Sequence, residues 1–140
     1  MQQQISVITL ATRDRATARR FYVDGFGWTP VFENDEIVFF QMNGLMLGLW
    51  SAASMAEDMK RQASFAPGAY ALAHNLPTKD AVQPLLDKLA AAGGRILRNA
   101  DAPPQGGMRG YIADPDGHAW EIAWNPAWTM DAEGHVTFGV

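Results

Sequence analysis

The feature that most constrains the fold of this 140-residue chain is that its plan is written twice. "ISVITLAT" (5–12) is β-branched and apolar, the composition of a strand buried on both faces. Asp14 is placed to cap a helix through "RATARRFYVD", and Gly25 and Gly27 stop it. Three short strands follow at 29–34, 36–42 and 45–50, with Asn34-Asp35 and Asn43-Gly44 supplying hairpin turns between them. Residues 69–76 then read as a strand again. Val82, Leu85, Leu86 and Leu89 recur at helical spacing, Pro84 confines the helix start to near Asp80, and Gly93-Gly94 ends it. Strands at 94–99, 108–114 and 118–124 complete the second unit, and "HVTF" in the tail reads as one further short strand.

A βαβββ plan repeated in this way predicts an α+β fold of two tandem modules, 1–51 and 68–128. A connector at 52–67 has room for one short helix, and 129–140 forms a tail. Each helix covers one face of its sheet, so the expectation is a curved, cup-shaped mixed sheet with helices outside and a ligand site within. Hydrophobic residues at 48% and charged residues at 19% suffice to fill a core. A net charge of −4 without a lysine- or arginine-rich run argues against a surface that tracks nucleic-acid phosphates. The absence of cysteine removes disulfides, thiolate metal sites and cysteine nucleophiles together. Nothing approaches the roughly 18 consecutive apolar residues of a membrane span. "MQQQISVITLAT" has no basic start, so it does not read as a signal peptide, and a cytoplasmic protein is expected.

Two stretches point further. "RDRATARRFYVDGFGW" places Phe-Tyr at the end of a helix before a glycine turn, and "YIADPDGHAWEIAW" places a DPDG hairpin before a strand carrying one glutamate. With the repeat, these resemble the vicinal oxygen chelate superfamily, which includes glyoxalase I, bleomycin-resistance proteins and extradiol dioxygenases. The resemblance spans roughly residues 5 to 128 and implies the fold more than any one chemistry. It also implies four metal-ligand positions, which fall here on Val7, Gly48, Ala71 and Glu121. Only Glu121 carries a ligating side chain, and one carboxylate with water is not a stable site for a divalent ion. No metal and no cofactor are therefore expected.

Glu121 is the odd residue of an otherwise apolar strand. Period two puts Trp120, Ile122 and Trp124 on the helix face, and Glu121 in the cup beside Ala119 and Ala123. It reads as a general base or a ligand acceptor, or else as a carboxylate satisfied by a neighbour. Arg109 and Tyr111 share a face of the adjoining strand, although Arg109 reads equally as a solvated edge charge. Thr9 and Asn75 are polar points on the two leading strands. Phe39 or Phe40 must face the cup, and Trp50 guards its rim. The candidate ligand-binding set is thus Thr9, Phe39, Trp50, Asn75, Arg109 and Tyr111, with Glu121 as the candidate catalytic residue. His74 points to the helices as a structural histidine, His118 follows the turn partly exposed, and His135 lies in the tail; they form no cluster.

The functional expectation is a homodimeric, metal-independent protein similar to bleomycin-resistance proteins, holding an aromatic or amphipathic molecule in its cup. Two alternatives stand beside it. One is a lyase or isomerase resembling glyoxalases, with Glu121 as general base. The other is an interaction module whose cup is filled by its own side chains.

Overall fold

The computed structural model describes residues 1–62 and 67–139; part of the expected connector, 63–66, lies outside the described residues. β1 (Val7–Thr12) leads into α1 (Arg15–Arg20), whose first turn is closed by the Asp14 carboxylate accepting from the Thr17 N–H at 2.9 Å. The helix continues at wider, π-type pitch through Phe21–Gly25, which carries Phe21 and Tyr22 into the interior. Gly25 allows a close approach there, because a Cβ would stand 2.7 Å from Leu89 Cδ2 of the facing helix and the leucine would have to shift. β2 (Pro30–Glu33), β3 (Ile37–Gln41) and β4 (Met46–Ser51) follow as a meander. The connector holds α2 (Ala52–Asp58), capped by Ser51.

The second unit is built the same way, from β5 (Leu72–Asn75), α3 (Val82–Ala91, entered through a 3-10 turn at Lys79–Ala81), β6 (Arg95–Asp101), β7 (Met108–Ala113) and β8 (Ala119–Trp124). The repeat holds strand for strand. The first sheet runs β1-β4-β3-β2 and the second β5-β8-β7-β6, with the outer pair β1·β4 or β5·β8 parallel and the rest antiparallel. The tail folds back as a small hairpin of β9 (Thr129–Met130) and β10 (Val136–Thr137).

Each module contributes its own four-stranded mixed sheet, in keeping with the α+β fold of two tandem βαβββ units. Two sequence expectations change. β1 is buried on one face only, with Leu10 at 3% exposure and Val7 at 46%, because the helix layer covers one side of each sheet. His118 is buried rather than partly exposed. The units share one core: Phe40 and Leu47 of the first sheet, Leu86 and Leu89 of α3, and Ile112 and Ile122 of the second sheet belong to a single cluster. Fully burying such side chains is worth roughly 1.5–3 kcal/mol each, which makes the joint between units part of the folding energy.

Candidate functional site

Sheet register settles which side chains share a face. On β8, Trp120 and Ile122 are buried under the helix layer, and Trp120 Nε1 donates to the Tyr22 hydroxyl at 3.1 Å. Glu121 therefore lies on the uncovered face with Ala119 and Ala123. Tyr111 of β7 stands directly opposite Glu121, and Arg109 opposite Ala123. Burial raises the Tyr111 phenol above its ordinary value, and the facing Glu121 carboxylate, as charge and as hydrogen-bond acceptor, raises it further. Arg109 turns to Asp101, with which it forms an ion pair, so it is not the partner of Glu121. Glu121 and Arg109 line a cavity of ≈ 290 Å³ bordered by Trp124 and Trp128.

On the first sheet, Thr9, Gly48 and Phe39 lie side by side across β1, β4 and β3 on the uncovered face. Phe40 points the other way and is buried, which resolves the Phe39–Phe40 alternative. Trp50 stands beside Ala11 and Ile37 on the Phe39 side. The candidate residues do not meet in one chain. Thr9 lines a ≈ 440 Å³ cavity with α2, Asn75 a ≈ 720 Å³ cavity between the units, and Glu121 with Arg109 the ≈ 290 Å³ one.

The family's metal positions do not suit an ion. Val7 and Ala71 offer no donor, and a Cβ on Gly48 would stand 2.9 Å from Phe39 Cε1, so the ring occupies the space a ligating side chain would need. Among the described residues, the group with donors close enough to share a cation is Asp131, Glu133 and His135, exposed on the tail hairpin.

A buried polar network escaped the sequence reading. Asp114 accepts from the Tyr22 hydroxyl at 2.7 Å and from the N–H groups of Asp116 and His118, each at 2.9 Å. Burial raises the Asp114 carboxyl above its ordinary value against the pull of these donors, and burial with the Asp114 charge pushes the Tyr22 phenol well up. His118 Nε2 donates to the Ala11 carbonyl at 2.8 Å, which leaves Nδ1 to accept from the Tyr70 hydroxyl. The Arg13 N–H donates to Asp116 at 2.9 Å. The DPDG turn of the second unit is thereby tied to β1 and α1 of the first. The DPDG and Phe-Tyr motifs were both visible in sequence, but that they touch was not.

The geometry and the repeat agree with the sequence comparison: the chain matches the Glyoxalase/Bleomycin resistance protein/Dioxygenase superfamily over residues 4–122, and it belongs to that superfamily. It is similar to a glyoxalase-related enzyme from Fulvimarina pelagi, at 53% identity over 99% of this chain and 100% of that one, with a TM-score of 0.97. It shares its fold with a lactoylglutathione lyase from Agrobacterium tumefaciens (23% identity, 94% and 100% covered, TM-score 0.73). It also shares it with a glyoxalase/bleomycin resistance protein/dioxygenase from Nocardioides (22% identity, 90% and 86% covered, TM-score 0.72). No curated protein matches the chain. No helix among the described residues is long and apolar enough to cross a membrane.

Proposed function

We propose that the protein binds a small organic molecule without a metal, on the uncovered face that carries Glu121 and Tyr111. The observation that supports this is the Glu121–Tyr111 pair itself, a carboxylate and a protonated phenol set among small alanines on a face that no helix among the described residues covers. Such a pair accepts one hydrogen bond and donates another. It suits a ligand with adjacent donor and acceptor groups on an aromatic or amphipathic body. The first sheet offers a complementary apolar face of Phe39 and Trp50 with one hydroxyl, Thr9. Since Thr9 and Glu121 line different cavities in one chain, a homodimer is the arrangement that completes the cup, with the first sheet of one copy against the second sheet of its partner. Exposed apolar side chains, Val7 and Phe32 on the first sheet and Leu97 on the second, favour such pairing.

A second reading, proton transfer in a lyase or isomerase, has one observation in its favour. Glu121 as base and Tyr111 as acid stand opposite each other on two paired strands, and a general acid–base pair so placed can move a proton on a bound carbonyl compound. The test is native mass spectrometry of freshly purified protein, followed by Glu121→Gln. Retained folding with loss of the co-purifying molecule is expected. A metal near one per chain that survives dialysis, or ligand retention unaffected by Glu121→Gln, sinks the proposal. Sedimentation as a monomer at micromolar concentration refutes the composite cup.

A further inference from the structure

Glu121 is not among the residues that line the ≈ 720 Å³ cavity, which runs along the edge strand β5 and is lined by Leu72 and His74 from one face and by Ala73 and Asn75 from the other. Leu72 and His74 pair in register with Trp120 and Ile122, so they share the helix-side face, and Ile8, Phe40 and Leu47 complete that wall from the first sheet. Its volume falls within the range usual for small-molecule sites.

Its chemistry is specific. Trp28 stacks on Phe26 at 4.2 Å and meets Trp120 edge-on at 5.7 Å, giving flat aromatic walls. His74 touches the Phe26 and Trp28 rings, yet among the described residues neither of its nitrogens has a hydrogen-bond partner. Nor does the Trp28 indole N–H. No fully buried side-chain nitrogen or oxygen among the described residues is without a partner, so these groups reach open space, and the space they line is this cavity. Burial lowers the basicity of His74 and keeps its imidazole neutral, with one donor and one acceptor. Glu133, on the tail, is the charged residue that lines the cavity, which disfavours an anionic ligand.

The roof has a separate origin. Met130, Glu133, Gly134 and Val136 of the tail hairpin line the cavity, and the hairpin is docked by Asn43 Nδ2 donating to the Glu133 carbonyl at 2.9 Å. This hairpin lies beyond residue 122, where the match to the superfamily ends.

We infer that this cavity is a second ligand site, selective for an uncharged aromatic molecule of one or two rings that carries a hydroxyl group. A phenolic hydroxyl both donates and accepts, which matches the neutral His74 imidazole and the Trp28 N–H together, while the rings lie against Trp28 and Trp120. The site is independent of the Glu121 face.

The probe is 2-naphthol, titrated into the full-length protein by calorimetry, with Trp28 and Trp120 fluorescence as a second readout. Saturable binding of one molecule per chain is expected. Naphthalene and 2-naphthoate should bind at least about tenfold more weakly, since one lacks the hydrogen-bonding group and the other brings a charge into the cavity. His74→Phe keeps the aromatic packing and should lower 2-naphthol affinity by about tenfold. Val136→Trp fills the cavity from its exposed rim without touching the core, and it should abolish binding even if His74→Phe fails to fold. Glu121→Gln should leave 2-naphthol affinity unchanged, which separates this site from the proposed cup. Absence of saturable binding, equal affinity for naphthalene, unaltered binding in Val136→Trp, or loss of binding in Glu121→Gln would each overturn the assignment.

Discussion

Tyr22→Phe removes one oxygen atom from the joint between the two units and leaves no cavity, so its cost isolates the polar network. Tyr22 is fully buried; its hydroxyl donates to the Asp114 carboxylate and accepts from Trp120 Nε1. Losing a hydrogen bond to a charged group costs about 1.5–3 kcal/mol, and a stranded Trp120 N–H costs about 1–3 kcal/mol. The two overlap, because Asp114 keeps two backbone donors and the indole can shift, so about 3 kcal/mol is expected. With an unfolding entropy of roughly 2.1 cal/mol/K per residue, that lowers the melting temperature by about 10 °C. Urea unfolding should show the midpoint moving with an unchanged slope. The cost should also depend on pH. Tyr22 favours the ionised form of Asp114, whose carboxyl burial holds above the ordinary 3.8, so the substitution should cost more at neutral pH than near pH 4. In an Asp114→Asn background it should cost at least about 1 kcal/mol less. A change below about 0.5 kcal/mol, or an undiminished cost in that background, would refute the claim that this network fastens the units together.

Three other outcomes follow from the geometry. Glu121→Gln should lower the pKa of the Tyr111 phenol toward its ordinary value, because the carboxylate that raises it is gone; an ultraviolet difference titration against the parent protein reads this directly. Gly48→Ala should destabilise by roughly 1–3 kcal/mol, since its Cβ would meet the Phe39 ring at 2.9 Å, and Phe39→Leu should recover part of that loss. His74 should make stability fall on acidification: below the ordinary 6.5 the unfolded chain takes up a proton that the folded His74 refuses until lower pH, after which the decline levels off. Urea midpoints between about pH 5 and 8 check this, and His74→Phe should remove that component.

What was legible in the sequence was what neighbours in sequence decide. Asp14 caps its helix because the bonded N–H lies three residues away, and the Asn43-Gly44 turn is local, with Gly44 at φ +84°. The face of Glu121 was legible because period two depends only on adjacent residues. The burial of His118 was not, because its partners are Ala11, 107 residues earlier, and Tyr70, 48 residues earlier. The separation of the candidate ligand residues into three cavities was hidden for the same reason. Alternation assigns a residue to a face, whereas the placement of one sheet relative to another is set by Phe21, Tyr22 and Trp120 packing across the joint.

That joint also explains why, among the described residues, both sheets leave one face uncovered while an open cavity forms between the units. The α1 extension packs against α3, partly through the close approach at Gly25, so the helix layers meet in the middle and both sheets turn their other faces outward. His74, Trp28 and Trp120 line the cavity beside this joint, with their rings in contact. An uncovered sheet face and a cavity bordered by the tail are thus consequences of one packing choice. Substitutions at the joint should disturb both, whereas Glu121→Gln and Val136→Trp should each disturb one.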